Sequence, residues 1–466
     1  MIWYIFGFWV LKNVSEKVMS AKRLFGTDGI RGKANKYPMT AEVAMKFAMA
    51  AGTIFKIDTH RHRVVIAKDT RLSGYLIEPA LTAGFISVGI DVILVGPMPT
   101  PAVPMLIRSL RADLGVMISA SHNPYYDNGL KLFGDNGFKL SDEIENKVQD
   151  LMLSPELQNH LVEPEELGRA KRLEDAQGRY LEFVKTAFPK NKTLSGMRIV
   201  LDCANGGAYK LAPTIFWELG AEVILIGCEP TGFNINLDCG STHPQSLCKK
   251  VVETRADMGI ALDGDADRVV ICDEKGVIIS GDHVLATITK LLLERNQLEG
   301  GGVVLTQMAN GGLEEYLMGL GLKVLRTKVG DRYVFEAMQQ NNYNLGGEPS
   351  GHIIYSKYSS TGDGIVAALQ VLAYLLLSKS KASEIHKMFP LYPQLHQNIP
   401  YGDSNPLEVD AVQKKIADVK AEHEQVVILV RKSGTENLIR VMVEAKDESL
   451  AKQLLADISA VIKNNL

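Results

Sequence analysis

One arrangement of apolar and polar positions occurs three times along the chain. Val64–Asp69 (VVIAKD), Ile199–Cys203 (IVLDC) and Val303–Gln307 (VVLTQ) are short β-branched runs, each followed by a Gly-containing turn and a helix-like stretch. Each helical pattern stops at a glycine (Gly89, Gly220 or Gly321), and a second apolar run follows: DVILVG, EVILIG or KVLRTK. Strand, helix and strand in alternation, with runs apolar throughout, predict parallel strands covered by helices on both faces. Repetition of the unit predicts three related α/β domains.

The copies stay in step past these runs. Ala112–His122 (ADLGVMISASH) aligns with Ala256–Asp267 (ADMGIALDGDAD), placing Ser119 opposite Asp263 and Ser121 opposite Asp265. Hairpin-like segments follow, Gly134–Asp142 (GDNGFKLSD) and Asp273–Asp282 (DEKGVIISGD), and the third copy offers Tyr343–His352 (YNLGGEPSGH) at the matching place. Ligands of open α/β sheets bind beyond the carboxyl ends of strands, so three equivalent loops are expected to face one central cleft. From about Tyr392 the pattern changes to Val426–Arg431 (VVILVR), a turn SGTEN, Leu438–Glu444 (LIRVMVE) and a final amphipathic helix. Two apolar runs across a short polar turn predict an antiparallel pair in a smaller α+β domain. The expected fold is therefore three similar α/β domains with mixed sheets plus that C-terminal domain. The boundaries fall at 19–170, 171–273, 274–390 and 391–466.

Residues 1–18 stand outside this scheme. Met1–Leu11 (MIWYIFGFWVL) is apolar but shorter than the roughly 20 residues that span a bilayer. No positive charge precedes it and no small-x-small cleavage site follows. Met19 opens MSAKRLFGTDGIRG and reads as a natural start, so 1–18 is expected to be a non-native leader.

Lys plus Arg is 51 against 54 for Asp plus Glu, with no basic run able to track a nucleic-acid backbone, which argues against that partner. A membrane partner is not expected either. A small anionic substrate held by local basic loops remains open. The five cysteines are loosely spaced without a CxxC pair, which points to reduced thiols and a cytoplasmic setting.

The chemistry lies in the loops. Asp263-Gly264-Asp265-Ala266-Asp267-Arg268 sets three carboxylates at alternate positions with small spacers, so that their oxygens can converge on one hard cation, read here as Mg²⁺. Without a counter-ion such charges repel strongly. Ser119-Ala120-Ser121-His122-Asn123-Pro124 occupies the equivalent loop of the first copy. A phosphate on Ser121 adds a charge of about −1.5 to −2 and three acceptor oxygens, one of which can complete the metal sphere. Asn123-Pro124 is expected to fix the turn that exposes the hydroxyl, and Lys131 lies within reach of the same phosphate. Glu348-Pro349-Ser350-Gly351-His352 mixes donors and acceptors suited to sugar hydroxyls. Arg431-Lys432-Ser433-Gly434-Thr435, with Arg440 nearby, has the makings of an anion nest flanked by guanidinium forks. This second phosphate loop belongs to a different domain from the serine and the aspartates, an arrangement that suits a substrate with phosphate at either end.

Together these segments resemble the α-D-phosphohexomutase superfamily. The resemblance rests on FGTDGIRG (Phe25–Gly32), ISASHNPYYDNGLK (Ile118–Lys131), DGDADR, KVGDRYV (Lys328–Val334), GEPSGH and RKSGTENLIRVMVE (Arg431–Glu444), in family order. It implies a phosphoserine at Ser121, which binds Mg²⁺ together with Asp263, Asp265 and Asp267. Arg31, His122, Lys131 and Lys328 fall near the reacting group, with Lys131 and Lys328 both candidates for general acid or base through a lowered pKa. Arg268, Glu348, Ser350 and His352 match sugar-binding positions. Arg431, Ser433, Gly434, Thr435 and Arg440 match the phosphate loop.

The pieces YYDNG, KVGDRY and RKSGTE look more like the glucosamine branch than the mannose/glucose branch, although Pro349 stands where that branch usually carries Gln, Ala266 where Gly is frequent, and Asn437 where Pro is usual. The implied activity is interconversion of hexosamine 6- and 1-phosphates through a sugar 1,6-bisphosphate, which would also act as activator. Closure of the last domain would exclude water, and a homodimer is compatible. The alternatives are mannose or glucose phosphates as substrates, or a metal-dependent phosphatase with Ser121 as nucleophile.

Overall fold

The computed structural model describes residues 23–26, 28–57, 59–402, 405–423, 425–432 and 437–465. The expected leader 1–18 and the loop residues Ser433, Gly434 and Thr435 lie outside the described residues. The chain divides into two compact units, Met1–Gln307 with Leu325–Ile385, and Met308–Val324 with His386–Leu466.

In the first unit the repeated pattern becomes a repeated topology. The first sheet runs Asp91–Pro97, Arg63–Lys68, Leu114–Ile118, Asp127–Gly134, extended by Ala170–Arg172 at one edge and by Gly29–Lys33 and Phe25–Gly26 at the other. The second sheet runs Glu222–Ile226, Arg198–Asp202, Met258–Leu262, Val269–Asp273 and Ile278–Ile279. In the third copy, Gly302–Thr306, Leu345–Gly347 and Ile353–Tyr355 take the corresponding last three places. In every copy the strand before the chemical loop is parallel to its predecessor and antiparallel to its successor. The loops explain this: a parallel return needs a crossover of a dozen or more residues, which none of them has. The sheets are therefore mixed. The helices Gly74–Ser87 and Leu211–Glu218, and Gly311–Gly319 within the second unit, each end at the expected glycine, with φ of +84° at Gly89, +98° at Gly220 and +80° at Gly321.

Leu114–Ile118 is buried on both faces, as its unbroken apolar run requires. Leu114, Val116 and Ile118 join a core with Phe47, Ile77, Leu81 and Phe85. Gly115, pointing the other way, lies against Val103 and Ile107 of the helix Ala102–Leu110, where a Cβ would stand 2.6 Å from Val103. With helices on both faces, the strand end that carries Ser119–Ser121 is fixed from two sides.

In the second unit Leu438–Glu444 is the central strand, antiparallel to Val427–Lys432 as expected and also to Gln394–Pro400, which the sequence pattern did not reveal. Ile439, Val441 and Val443 alternate into a core closed by Val412 and Val419 of the helix Asp410–Glu422 and by Ile458 and Ile462 of Glu448–Lys463. All five cysteines are free thiols. Among the described residues no helix is long and apolar enough to cross a membrane.

Candidate active site

The serine loop is held by groups that come from outside it. Ser121 adopts the left-handed conformation (φ 52°), uncommon for a non-glycine residue and retained only where the surroundings fix it. The buried Arg71 does much of the fixing. Its guanidinium donates to the carbonyls of Ser121 (2.9 Å), Asn123 (2.8 Å), Asp127 (3.0 Å) and Pro124, and its Nε to Asp69 Oδ2 (2.8 Å). Asn236 donates to the same Ser121 carbonyl at 2.9 Å. Ser119 is a brace: its hydroxyl donates to Asp69 (2.6 Å) and accepts from the Ser121 N–H (2.9 Å). The expectation that Asn123-Pro124 exposes the hydroxyl is corrected here. Ser121 is 1% exposed, because the aspartate loop covers it.

That cover is direct. Ser121 Oγ donates to Asp263 Oδ2 at 2.6 Å, and His122 Nδ1 lies 3.4 Å from Ser121 Oγ. Gly264 lets the two loops close: a Cβ there would stand 2.6 Å from the Ser121 carbonyl oxygen. Asp263, Asp265 and Asp267 are all buried, with one oxygen of each within 4.8 Å of the others. Thr100 donates to Asp265 Oδ2 at 2.5 Å, and Lys131 Nζ donates to Asp265 Oδ2 at 2.8 Å and Asp267 Oδ2 at 3.1 Å. Asp265 Oδ1 and Asp267 Oδ1 have no hydrogen-bond partner. Buried unpaired carboxylate oxygens are costly, and three clustered carboxylates, two of them with an unpaired oxygen, form an all-oxygen set suited to a hard divalent cation. Burial, followed by the like charges of Asp267 and Asp265, holds Asp263 well above the usual carboxylate range, the repulsion a cation would relieve. The residues therefore fit a metal ion.

Two donors are also left over. Arg31 Nε and Arg268 Nε are buried without hydrogen-bond partners, Arg268 Nε lying 3.9 Å from Asp267 Oδ1, and the fields of both guanidiniums reach the aspartates. Arg31 pairs with Asp28, which also meets Lys131 at 3.1 Å and Lys139. Lys139 in turn meets Asp331 at 2.6 Å.

The expected lowered pKa for Lys131 is overturned. Burial pulls it down, but Asp265, Asp267 and Asp28 outweigh burial and hold it well above its ordinary value, as an ammonium. Lys328 is exposed, its carbonyl accepting from Thr327 Oγ1 at 3.0 Å, and its side chain makes no hydrogen bond or ion pair with the aspartates. His122 moves the other way, to about 4, through burial and the positive fields of Arg268 and Arg31. His352 is buried, with Nδ1 3.6 Å from Asp267 and Nε2 3.3 Å from Asp331. The Gly362 N–H lies 2.9 Å from Nε2. Burial pulls His352 down, but the two carboxylates, Asp267 ahead of Asp331, outweigh burial and raise it to about 10, so that the ring is charged near pH 7. Glu348 accepts from the Gly330 N–H (2.9 Å) and from Ser350 Oγ (3.2 Å), so among the three loop residues it is His352 that reaches an aspartate of the metal loop.

In the second unit Arg431 and Arg440 are directly paired across neighbouring strands, hence on one face, and both are exposed. Like charges so placed destabilise a sheet unless an anion lies between them. Sequence reasoning missed Arg71, Asp69, Thr100, Asn236, Asp28, Lys139 and Asp331. The available signals were that Asp69-Thr70-Arg71 directly follows the first strand of the copy that carries the serine, and that Asp28 and Asp331 fall within the segments FGTDGIRG and KVGDRYV.

The chain is 56% identical over 439 residues to the phosphoglucosamine mutase of Chelativorans sp. (strain BNC1), covering 94% of this chain and 97% of that one. It is 57% identical over 445 residues to that of Parvibaculum lavamentivorans, covering 95% and 99%. Four phosphoglucomutase/phosphomannomutase models match in order: domain I at residues 22–159, domain II at 178–276, domain III at 280–392 and the C-terminal domain at 398–461. The chain belongs to the phosphoglucomutase/phosphomannomutase family. A phosphoglucomutase/phosphomannomutase family structure from Burkholderia thailandensis superposes with a TM-score of 0.81 at 23% identity, over 95% of this chain and 97% of that one. N-acetylphosphoglucosamine mutase from Aspergillus fumigatus gives 0.65 at 18%, over 95% and 96%. These two likenesses speak for the family's fold alone.

Proposed function

We propose that this phosphohexomutase is a phosphoglucosamine mutase, interconverting glucosamine 6-phosphate and glucosamine 1-phosphate through phosphorylated Ser121. Phosphoserine 121 gives its phosphoryl group to the free hydroxyl of glucosamine 6-phosphate, forming the 1,6-bisphosphate. The bisphosphate turns over, returns its 6-phosphoryl group to Ser121, and leaves as glucosamine 1-phosphate. The observation that carries this reading is the buried Ser121 hydroxyl 2.6 Å from an aspartate triad with two unpartnered oxygens. Relatives called phosphoglucosamine mutase at 56–57% identity favour the amino sugar over mannose or glucose.

Asp263, Asp265 and Asp267 would hold Mg²⁺, which when bound withdraws charge from the transferring phosphoryl group. The Nε–H groups of Arg31 and Arg268, which make no hydrogen bond, supply donors for phosphoryl oxygens, and Lys131 contributes a fixed positive charge. His122, neutral near pH 7 and 3.4 Å from Ser121 Oγ, is the group placed to exchange a proton there. Glu348, Ser350 and His352 serve the sugar. Arg431 and Arg440, with Ser433, Gly434 and Thr435, anchor the phosphate that is not being transferred. The division at 19–170, 171–273, 274–390 and 391–466 belongs to the same proposal, as do a cytoplasmic setting and a homodimer.

The test supplies enzyme, Mg²⁺ and a trace of sugar 1,6-bisphosphate with each hexose monophosphate in turn. The reading expects the highest kcat/KM on glucosamine phosphates. Faster turnover of mannose or glucose phosphates would reassign the substrate, and release of inorganic phosphate without isomerised sugar would make the chain a phosphatase.

A further inference from the structure

A second cluster of metal-ligating side chains sits at the other end of the strand that leads to Ser121. His60 Nε2 lies 2.7 Å from Asp113 Oδ1, and His62 Nδ1 lies 3.1 Å from the same oxygen. The three donor atoms are all within 4.8 Å of one another. Asp113 immediately precedes the strand Leu114–Ile118, and Ser119 and Ala120 lie between that strand and Ser121, so the two sites stand at opposite ends of the strand, which rises about 3.3 Å per residue.

The cluster is built into the sheet. His60 and His62 are two residues apart in the segment entering the strand Arg63–Lys68, and their rings lie 4.0 Å apart, centroid to centroid. The backbone there is pinned on both sides. The Asp91 N–H donates to the His62 carbonyl at 2.9 Å and the Asp113 N–H to the Arg63 carbonyl at 3.0 Å. The Arg63 N–H donates to Asp113 Oδ2 at 2.7 Å, which orients the carboxylate and leaves Oδ1 to the two imidazoles.

We propose that His60, His62 and Asp113 form a site for a borderline divalent transition ion such as Zn²⁺, separate in place and in metal preference from the aspartate triad. Two imidazole nitrogens and one carboxylate oxygen suit zinc, nickel or cobalt, whereas an all-oxygen set suits magnesium. Around a tetrahedral zinc with bonds of about 2.0–2.2 Å the donors stand about 3.3–3.5 Å apart. The observed 2.7 and 3.1 Å need only a small opening, which the His60 side chain, 53% exposed, is free to make. His62 is 2% exposed and Asp113 is 16% exposed, so protein closes one side of the site and water can fill the fourth position on the other. A bound ion would tie the entry to Arg63–Lys68 to the start of Leu114–Ile118 and act as a brace away from the chemistry.

The test compares the wild-type chain with His60→Ala, both saturated with Mg²⁺, dialysed against buffered Zn²⁺, and assayed for zinc per chain. His60 supports no other element, so both proteins are expected to fold, and circular dichroism checks this. The expected result is one zinc fewer per chain in His60→Ala, with equal turnover of hexosamine phosphate in Mg²⁺ alone. Equal zinc content in the two proteins, or none in either, overturns the proposal.

Discussion

The serine loop and the aspartate loop leave the same place in two copies of one topology, yet they are built in opposite ways. After Leu114–Ile118 the chain is held from outside: Arg71 gathers four carbonyls, and Ser119 and Asp69 brace the turn. After Met258–Leu262 the side chains point inward, and three carboxylates crowd together with two oxygens unpaired. Each loop turns through one left-handed residue, Ser121 in the first and Ala266 in the second. One loop is thus a fixed platform for a hydroxyl, and the other is a charge cluster that Lys131 offsets only in part. The common fold supplies the position and the loop residues supply the chemistry.

The sharpest way to break this comparison is at the hydroxyl. Ser121→Ala is expected to lower turnover by at least about 10⁴-fold, in the range seen when a nucleophile is removed, with melting temperature and Mg²⁺ binding close to wild type. On the aspartate side, Asp265→Asn removes a charge that meets Lys131 and Thr100. Half-maximal turnover should then need at least about 100-fold more Mg²⁺, the upper end of losses seen for groups that merely support metal ligands.

Gly264→Ala tests the closeness of the two loops. Its Cβ would force the Ser121 carbonyl back from 2.6 Å, and misplacing reacting groups by about 1 Å can cost about 100-fold in kcat. Mg²⁺ affinity should change much less than kcat. Ser119→Ala should behave as loss of a brace. Leaving Asp69 short of a buried donor is expected to cost about 1–3 kcal/mol in denaturant unfolding, while phosphorylation of Ser121 persists. The smallest effect belongs to Ala266→Gly. Relief of the left-handed strain, about 1–2 kcal/mol, is largely offset by the extra freedom of glycine in the unfolded chain, so stability should move by no more than about 1 kcal/mol.

Much of this was legible in the chain. The three strand–helix–strand copies, the glycines that end their helices, the pairing of Ser119–Ser121 with Asp263–Asp267 and the antiparallel pair near the C-terminus all follow from periodicity and turn residues, which are local. What escaped reading depends on contacts between distant segments. Arg71 is indistinguishable in sequence from a surface arginine in a polar turn, and only the folded sheet brings the Asn123 and Asp127 carbonyls to it. Lys131 was expected to lose its proton more easily because burial was foreseeable, whereas its three carboxylate neighbours come from residues 28, 265 and 267. Gln394–Pro400 escaped because its residues are mostly half-exposed and polar, so that its strand character comes from pairing with Leu438–Glu444.

The most direct test is to follow a labelled phosphoryl group. Enzyme carrying radiolabelled phosphate on Ser121 is mixed with Mg²⁺ and unlabelled glucosamine 6-phosphate for a single turnover, and the products are separated. The account predicts that the label leaves Ser121 and appears in glucosamine 1,6-bisphosphate and then glucosamine 1-phosphate. Label that stays on the protein while sugar isomerises, or that leaves as inorganic phosphate, would contradict it.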